Sequence, residues 1–81
     1  MLLAEVVGNV VSTRKNEKLI GFKLLEVRVE GDFKPEKFVA IDNVGAGVGE
    51  KVLVVLGSAA RQAVGENIPV DAVVVGIVDP V

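Results

Sequence analysis

An all-β fold, a small closed five-stranded barrel with one short helix between strands four and five, is what this sequence predicts. Three observations predict it. Valine supplies 19 of the 81 residues, and β-branched side chains suit a pleated, half-buried surface. Glycine-bearing turns break the chain into short apolar stretches, none long enough to cross a bilayer as a helix. Helix signals gather in one place only, where Gly57-Ser58 opens a run that Gly65 closes. At this length a closed barrel is preferred to a sandwich, because closure removes the strand edges that would otherwise aggregate.

Met1 to Ser12 is β-branched and apolar around Gly8-Asn9, which predicts one long strand bent or bulged at Gly8. Thr13 to Glu17 is a polar loop, continued by Lys18 to Lys23 past Gly21. Leu24 to Glu30 alternates cleanly. Leu25, Val27 and Val29 share one face, and Glu26, Arg28 and Glu30 share the other. After the Gly31–Glu36 connection, Phe38 to Asp42 forms a third strand and Lys51 to Leu56 a fourth. Ser58 is expected to cap the helix, and Gly65 is expected at its C-terminal stop. Pro69 prevents the helix from running on, and Ala72 to Val78 supplies the last strand. The helix is expected to plug one end of an OB-like barrel. Residues 1–81 are expected to form that one domain.

Composition narrows the function. No cysteine and no histidine is present, so disulfides, thiolate metal sites and the commonest general base are all unavailable. The formal charge is −2, without the basic footprint of a nucleic-acid binder. The amino-terminal Met1–Glu5 has no cationic segment and meets a carboxylate at once, unlike a signal peptide. A protein of the reducing cytoplasm is the expectation. Counted with glycine, roughly 62% of the chain is apolar, against about 45–50% for an average domain. So small a domain cannot hide that surface alone, which points to a homo-oligomer; a valine-rich monomeric barrel is the alternative.

The richest stretch is Asp42-Asn43-Val44-Gly45-Ala46-Gly47-Val48-Gly49-Glu50. Gly-x-Gly-x-Gly suggests a phosphate loop, but such a loop follows a strand and opens a helix. Here the glycines open a strand. Close packing at a turn or subunit boundary is therefore preferred to anion binding, and a valine at Gly47 is expected to break the turn if that residue needs positive φ or close backbone approach. Asp42 and Glu50 could share a cation, accept hydrogen bonds from the turn amides, or pair with Arg61 or a neighbour's cation. Ser58 lacks any adjacent base, so it is not expected to be a nucleophile. Arg61, three residues on, shares its helix face and either reaches across an interface or is simply solvated. Arg14, Lys15, Lys18 and Lys23 form the one basic cluster, interrupted by Glu17. A solvated loop, a lateral protein contact and an oligonucleotide groove are the readings. The last is weakened because the only aromatics are Phe22, Phe33 and Phe38.

Several stretches together resemble the bacterial microcompartment vertex protein family, EutN/CcmL, over essentially the whole chain. They are Gly8–Thr13, Leu19–Leu25, Asp42–Glu50, Gly57-Ser58-Ala59-Ala60-Arg61, Pro69–Ala72 and Gly76–Asp79, in the family's order. Gly31–Glu36 is a short version of a variable segment, and Ala59 stands where a second serine is common. The resemblance implies an OB-like barrel that assembles as a homo-pentamer and caps the vertices of a polyhedral shell. It also implies hexameric shell tiles as partners, a place in the microcompartment shell in the cytoplasm, and no enzyme activity. No catalytic residue, cofactor, metal, nucleic acid or membrane is expected. Matched to this chain, Gly45, Ala46, Gly47, Gly49, Glu50, Ser58 and Arg61 are expected at the subunit boundary or pore. Arg14, Lys15 and Lys18 are expected to face the tiles. The alternative function is a monomeric OB-like binding module for an oligonucleotide or small anion.

Overall fold

A computed structural model describes residues 1–79. Five strands, β1 (Leu2–Val10), β2 (Leu24–Val29), β3 (Lys37–Asp42), β4 (Lys51–Leu56) and β5 (Ala72–Val78), close a barrel in the order β1-β2-β3-β5-β4. One helix, α1 (Gly57–Val64), joins β4 to β5, and a 3₁₀ turn at Glu17–Leu19 lies in the long β1–β2 connection. Every seam is antiparallel except β3–β5. The β1–β2 register slips between Val6 and Gly8, the bulge that the sequence places at Gly8. The expected first strand ran to Ser12. It stops at Val10, and the Ser12 hydroxyl then donates to the Arg14 carbonyl at 2.7 Å, folding the chain away from the sheet.

Period-two alternation fills the barrel. Ala4 and Val6, Leu25 and Val27, Ala40, Val52 and Val54, and Ala72 and Val74 form one inner core, all essentially without solvent contact. These are small side chains because five strands enclose little room. Ala46, from the β3–β4 turn, belongs to the same cluster and is fully buried.

Alternate residues of the same strands face outwards and build a second cluster. Ile41 and Val73 are buried there with Ala60 of α1, and Val55, Val64, Ile68 and Val75 pack around them. This corrects the expected position of the helix. It does not plug the barrel but lies along the outer wall of β3, β5 and β4. The interior is already full, and Ala60 and Val64, four residues apart, make the apolar stripe that fits an outer wall. Phe22 and Leu19, from the β1–β2 connection, complete the covering.

The entry to α1 also differs from expectation. The residue at the cap position is Leu56, and no side chain caps the helix. Gly57 takes φ +59°, turning strand directly into helix, and its N–H donates to the Asp71 carbonyl at 2.9 Å. Ser58 is thereby left inside the first turn, two residues past the cap position. Gly65 ends the helix as expected, with φ +125° and its N–H bonded to the Arg61 carbonyl at 2.7 Å.

Leu25 is among the largest fully buried side chains. Leu25→Ala is expected to cost about 2–5 kcal/mol by transfer and cavity terms, read as a lower urea midpoint at fixed protein concentration.

Candidate assembly interface

Asp42 organises the turn between β3 and β4. It ends β3 on the inward-facing row of Phe38 and Ala40, so its carboxylate meets the backbone that follows. One carboxylate oxygen accepts from Val44 and Gly45 N–H, both at 3.1 Å, and the other from Ala46 N–H at 3.0 Å. Lys23 Nζ sits 3.6 Å from the second oxygen and also donates to the Ala46 carbonyl. The Asp42 side chain is only 4% exposed, which this many partners makes tolerable. Glu50 closes the other end of the turn. Its side chain accepts from Gly47 N–H at 2.7 Å, while its own N–H donates to the Gly47 carbonyl at 3.1 Å. Two further backbone bonds, Val6 N–H to the Glu50 carbonyl and Gly49 N–H to the Val6 carbonyl, tie the turn to β1.

Of the three readings of the two acids, the geometry selects acceptance from the turn amides. The amides of residues 44 to 47 all point at the chain's own carboxylates. An added anion would find those donors taken and two negative charges beside them, which disfavours the small-anion alternative. Among the described residues no group of three metal-capable side chains comes together.

The glycines divide in role. Gly45 and Gly49 hold φ of +85° and +92°, where only glycine is unstrained. Gly47 has no positive φ, and a Cβ there would meet Glu50 Oε1 at an ordinary 3.5 Å. Gly47 thus meets neither condition, positive φ or close backbone approach, under which a valine there is expected to break the turn; the positive φ lies at Gly45 and Gly49. Between the glycines, Val44 and Val48 stand 42% and 57% exposed, while Ala46 points inwards. With both acids hydrogen-bonded to backbone amides, Val44 and Val48 give the exposed side of the turn an apolar share beside Asn43 and Glu50. Sequence reasoning missed Val44 and Val48; their alternation with buried Ala46 was the available signal.

Ser58 is exposed and Arg61 half-buried on α1, at the far end of β4 from the turn. Five residue steps along a strand separate the two regions by roughly 17 Å. Within one chain, then, the turn residues and the Ser58–Arg61 face do not meet. Arg61 makes no ion pair among the described residues. Arg14, Lys15 and Lys18 are exposed in the β1–β2 connection, but Lys23 leaves that cluster to serve Asp42. Phe33 and Phe38 pack edge to face with centroids 6.4 Å apart, and Phe22 sits against the outer core. The aromatic platform of an oligonucleotide groove is therefore not assembled beside the basic loop. On the outer wall Lys51 bonds Glu30 at 2.9 Å, and that hydrogen bond and charge raise the lysine above its ordinary pKa.

The comparisons agree with this architecture. A family model described as ethanolamine utilisation protein EutN/carboxysome matches residues 1–79. The bacterial microcompartment shell vertex protein GrpN of Rhodospirillum rubrum (strain F11) is 53% identical over 85 residues, covering all of this chain and 96% of the relative. A solved structure of an ethanolamine utilization protein, EutN, superposes with a TM-score of 0.91 at 48% identity, over the whole chain and 88% of that structure. A structure of the R. rubrum GrpN pentameric microcompartment shell protein gives 0.85 at 49% identity, over the whole chain and 96% of that structure.

The two classes of turn glycine give a direct check. Gly45→Ala and Gly49→Ala are each expected to lose about 1–2 kcal/mol from the left-handed backbone penalty, whereas Gly47→Ala should stay within about 0.5 kcal/mol. Chemical denaturation of the three variants side by side distinguishes them.

Proposed function

The chain belongs to the EutN/CcmL family, and on that premise we propose that it is a structural shell protein of a bacterial microcompartment, five copies of which form a ring that caps a vertex of the polyhedral shell. The observation that carries this reading is the full-length match, in sequence and fold, to a shell protein solved as a pentamer. It works by assembly and is not an enzyme. Its place is the shell, inside the bacterial cytoplasm.

The surface of the chain supports such a ring. Apolar side chains remain exposed on several sides, among them Leu3, Val39, Val44, Val48 and Ile77, and neighbouring copies in a ring would take part of them out of water. The glycine turn and the Ser58–Arg61 face lie at opposite ends of β4. A cyclic ring joins unlike patches, one from each neighbour. We therefore assign Gly45, Gly47, Gly49 and Glu50, with the backbone of Ala46, to one side of the boundary or the central opening. Ser58 and Arg61 belong to the other. Hexameric tiles of the same shell are the outward partners, met through Arg14, Lys15 and Lys18. Flat hexagonal sheets cannot close on themselves, and a five-fold unit at each corner supplies the missing curvature.

Arg61→Glu is expected to weaken ring formation tenfold or more, which is about 1.4 kcal/mol, while circular dichroism of the barrel is unchanged. Sedimentation velocity across a dilution series measures it, and an unaltered distribution removes Arg61 from the boundary. Reversing charge at Arg14 and Lys15 together should leave the ring intact and abolish its co-assembly with hexameric tiles. Retained co-assembly of that variant would assign tile contact elsewhere.

A further inference from the structure

Two of the five barrel seams are short. β3 meets β5 only at Ile41↔Val73 and Asp42↔Val74. β1 meets β4 from Leu2 to Glu5, with Val6 bonded to the turn just beyond. The first half of β3 and the last half of β1 are thus paired on one side only, each to β2.

Hydrogen-bond alternation shows which groups are left over. Val29 N–H donates to the Glu36 carbonyl at 2.8 Å and Asp42 N–H to the Lys23 carbonyl at 2.9 Å. Even-numbered residues of β3 therefore bond β2, and Lys37 and Val39 turn their N–H and C=O away from it. On β2 the even-numbered residues serve β1, as Glu30 N–H to the Leu3 carbonyl shows. Past the bulge Val10 stands opposite Leu24, so Asn9 and Val11 face outwards. Among the described residues none of these four has a backbone partner on its outward side. Beside the β3 edge lie two open grooves. One of ≈ 310 Å³ includes Phe38, Val39, Leu56 and Ala72 in its lining, and one of ≈ 200 Å³ includes Val39, Ile41, Pro69 and Val70. Val39 is 46% exposed and Val11 88%.

The two edges match. Both carry outward groups two residues apart. Both strands run antiparallel to β2, so they point the same way. In a ring whose axis is inclined to these strands, as the tilt of barrel strands allows, β3 of one copy would lie alongside β1 of the next in the parallel sense. The pairing is shifted by two residues from the level the strands share within one chain. Parallel pairing requires one residue to bond two that flank its opposite number. Val39 would donate to the Asn9 carbonyl of the neighbouring copy and accept from Val11 N–H of the same copy. We propose that the open edge of β3 is occupied by the distal half of β1 from the neighbouring copy, so that the β1–β2–β3 sheet continues from subunit to subunit around the ring. Each chain has one edge of each kind, so a closed ring leaves neither exposed, the usual requirement for strand edges. This rests on the ring reading above.

The cysteine-free sequence makes a clean test. Val10 and Val39 would face each other across the new seam, on the outer side of the sheet, at the strand spacing of about 4.8 Å, within disulfide reach. Inside one chain β2 lies between β1 and β3, separating the two positions by roughly 9.5 Å or more, beyond the ~7 Å limit. Oxidising the Val10→Cys/Val39→Cys double variant is expected to give a ladder of covalent oligomers up to five chains with the ring mass unchanged. A ring of five that yields no interchain crosslink overturns the edge pairing and leaves the vertex reading standing. A wild-type chain that is monomeric throughout overturns both.

Amide exchange supplies a second reading. Val39 and Val11 should exchange at least about tenfold more slowly in the ring than in dissociated chain. Val39→Pro, at an N–H the barrel does not use, should dissociate the ring without unfolding the barrel. Fast exchange in the intact ring would mean a solvated edge. Protection appearing only when tile proteins are added would mean that another partner holds it. Either result overturns the proposal.

Discussion

A valine-rich sheet that buries its inner face completely and its outer face only in part sets the conditions for the rest of this molecule. The inner row of small residues leaves no room for a helix. The helix is therefore displaced to the outer wall, where Ala60 and Val64 can join Ile41 and Val73. One helix of eight residues covers one stretch of wall. Leu3, Val39 and the turn valines remain outside its reach. An assembled barrel can cover that surface where a lone one cannot, and an 81-residue chain has little stability to spare.

The β3–β4 turn converts this general need into a shaped surface. A loop with three alternate glycines would ordinarily be floppy, since glycine loses the most backbone freedom on ordering. Asp42 offsets that cost with three amide hydrogen bonds and a lysine, each charge-assisted bond being stronger than a neutral one. The same bonds draw the Asp42 charge inwards and leave Val44 and Val48 exposed beside Asn43 and Glu50. Rigidity and an apolar share thus arise from one carboxylate at the end of β3. An interface built on it pays less ordering entropy when neighbours meet.

Much of this was legible from the chain itself, for reasons that can be named. Strands β4 and β5 have the bounds their apolar runs suggest, and β2 shows the in–out alternation that a half-buried strand must have. Gly8 marks the β1 bulge because a strand pairing with two neighbours along its length has to bend. The helix position was not legible, since periodicity says which stripe of a helix is apolar but not which wall it meets. Ser58 misled because a cap is recognised by its place after a strand ends, and the helix starts at Gly57, two residues earlier than a Ser58 cap requires. Gly47 looked equal to Gly45 and Gly49, whereas only φ separates them. Lys23 was grouped with the loop lysines, and nothing local announces that it reaches Asp42, nineteen positions on. The half-open seams are a property of register, which no single strand encodes.

Taken together, the barrel, its outer helix and its locked turn describe a unit whose free surface is completed by copies of itself. Native mass spectrometry of the purified wild-type chain at low micromolar concentration tests that claim most directly. The account predicts a dominant species of five chains. A clean monomer at that concentration would contradict it, leaving the exposed valines without a partner of their own kind.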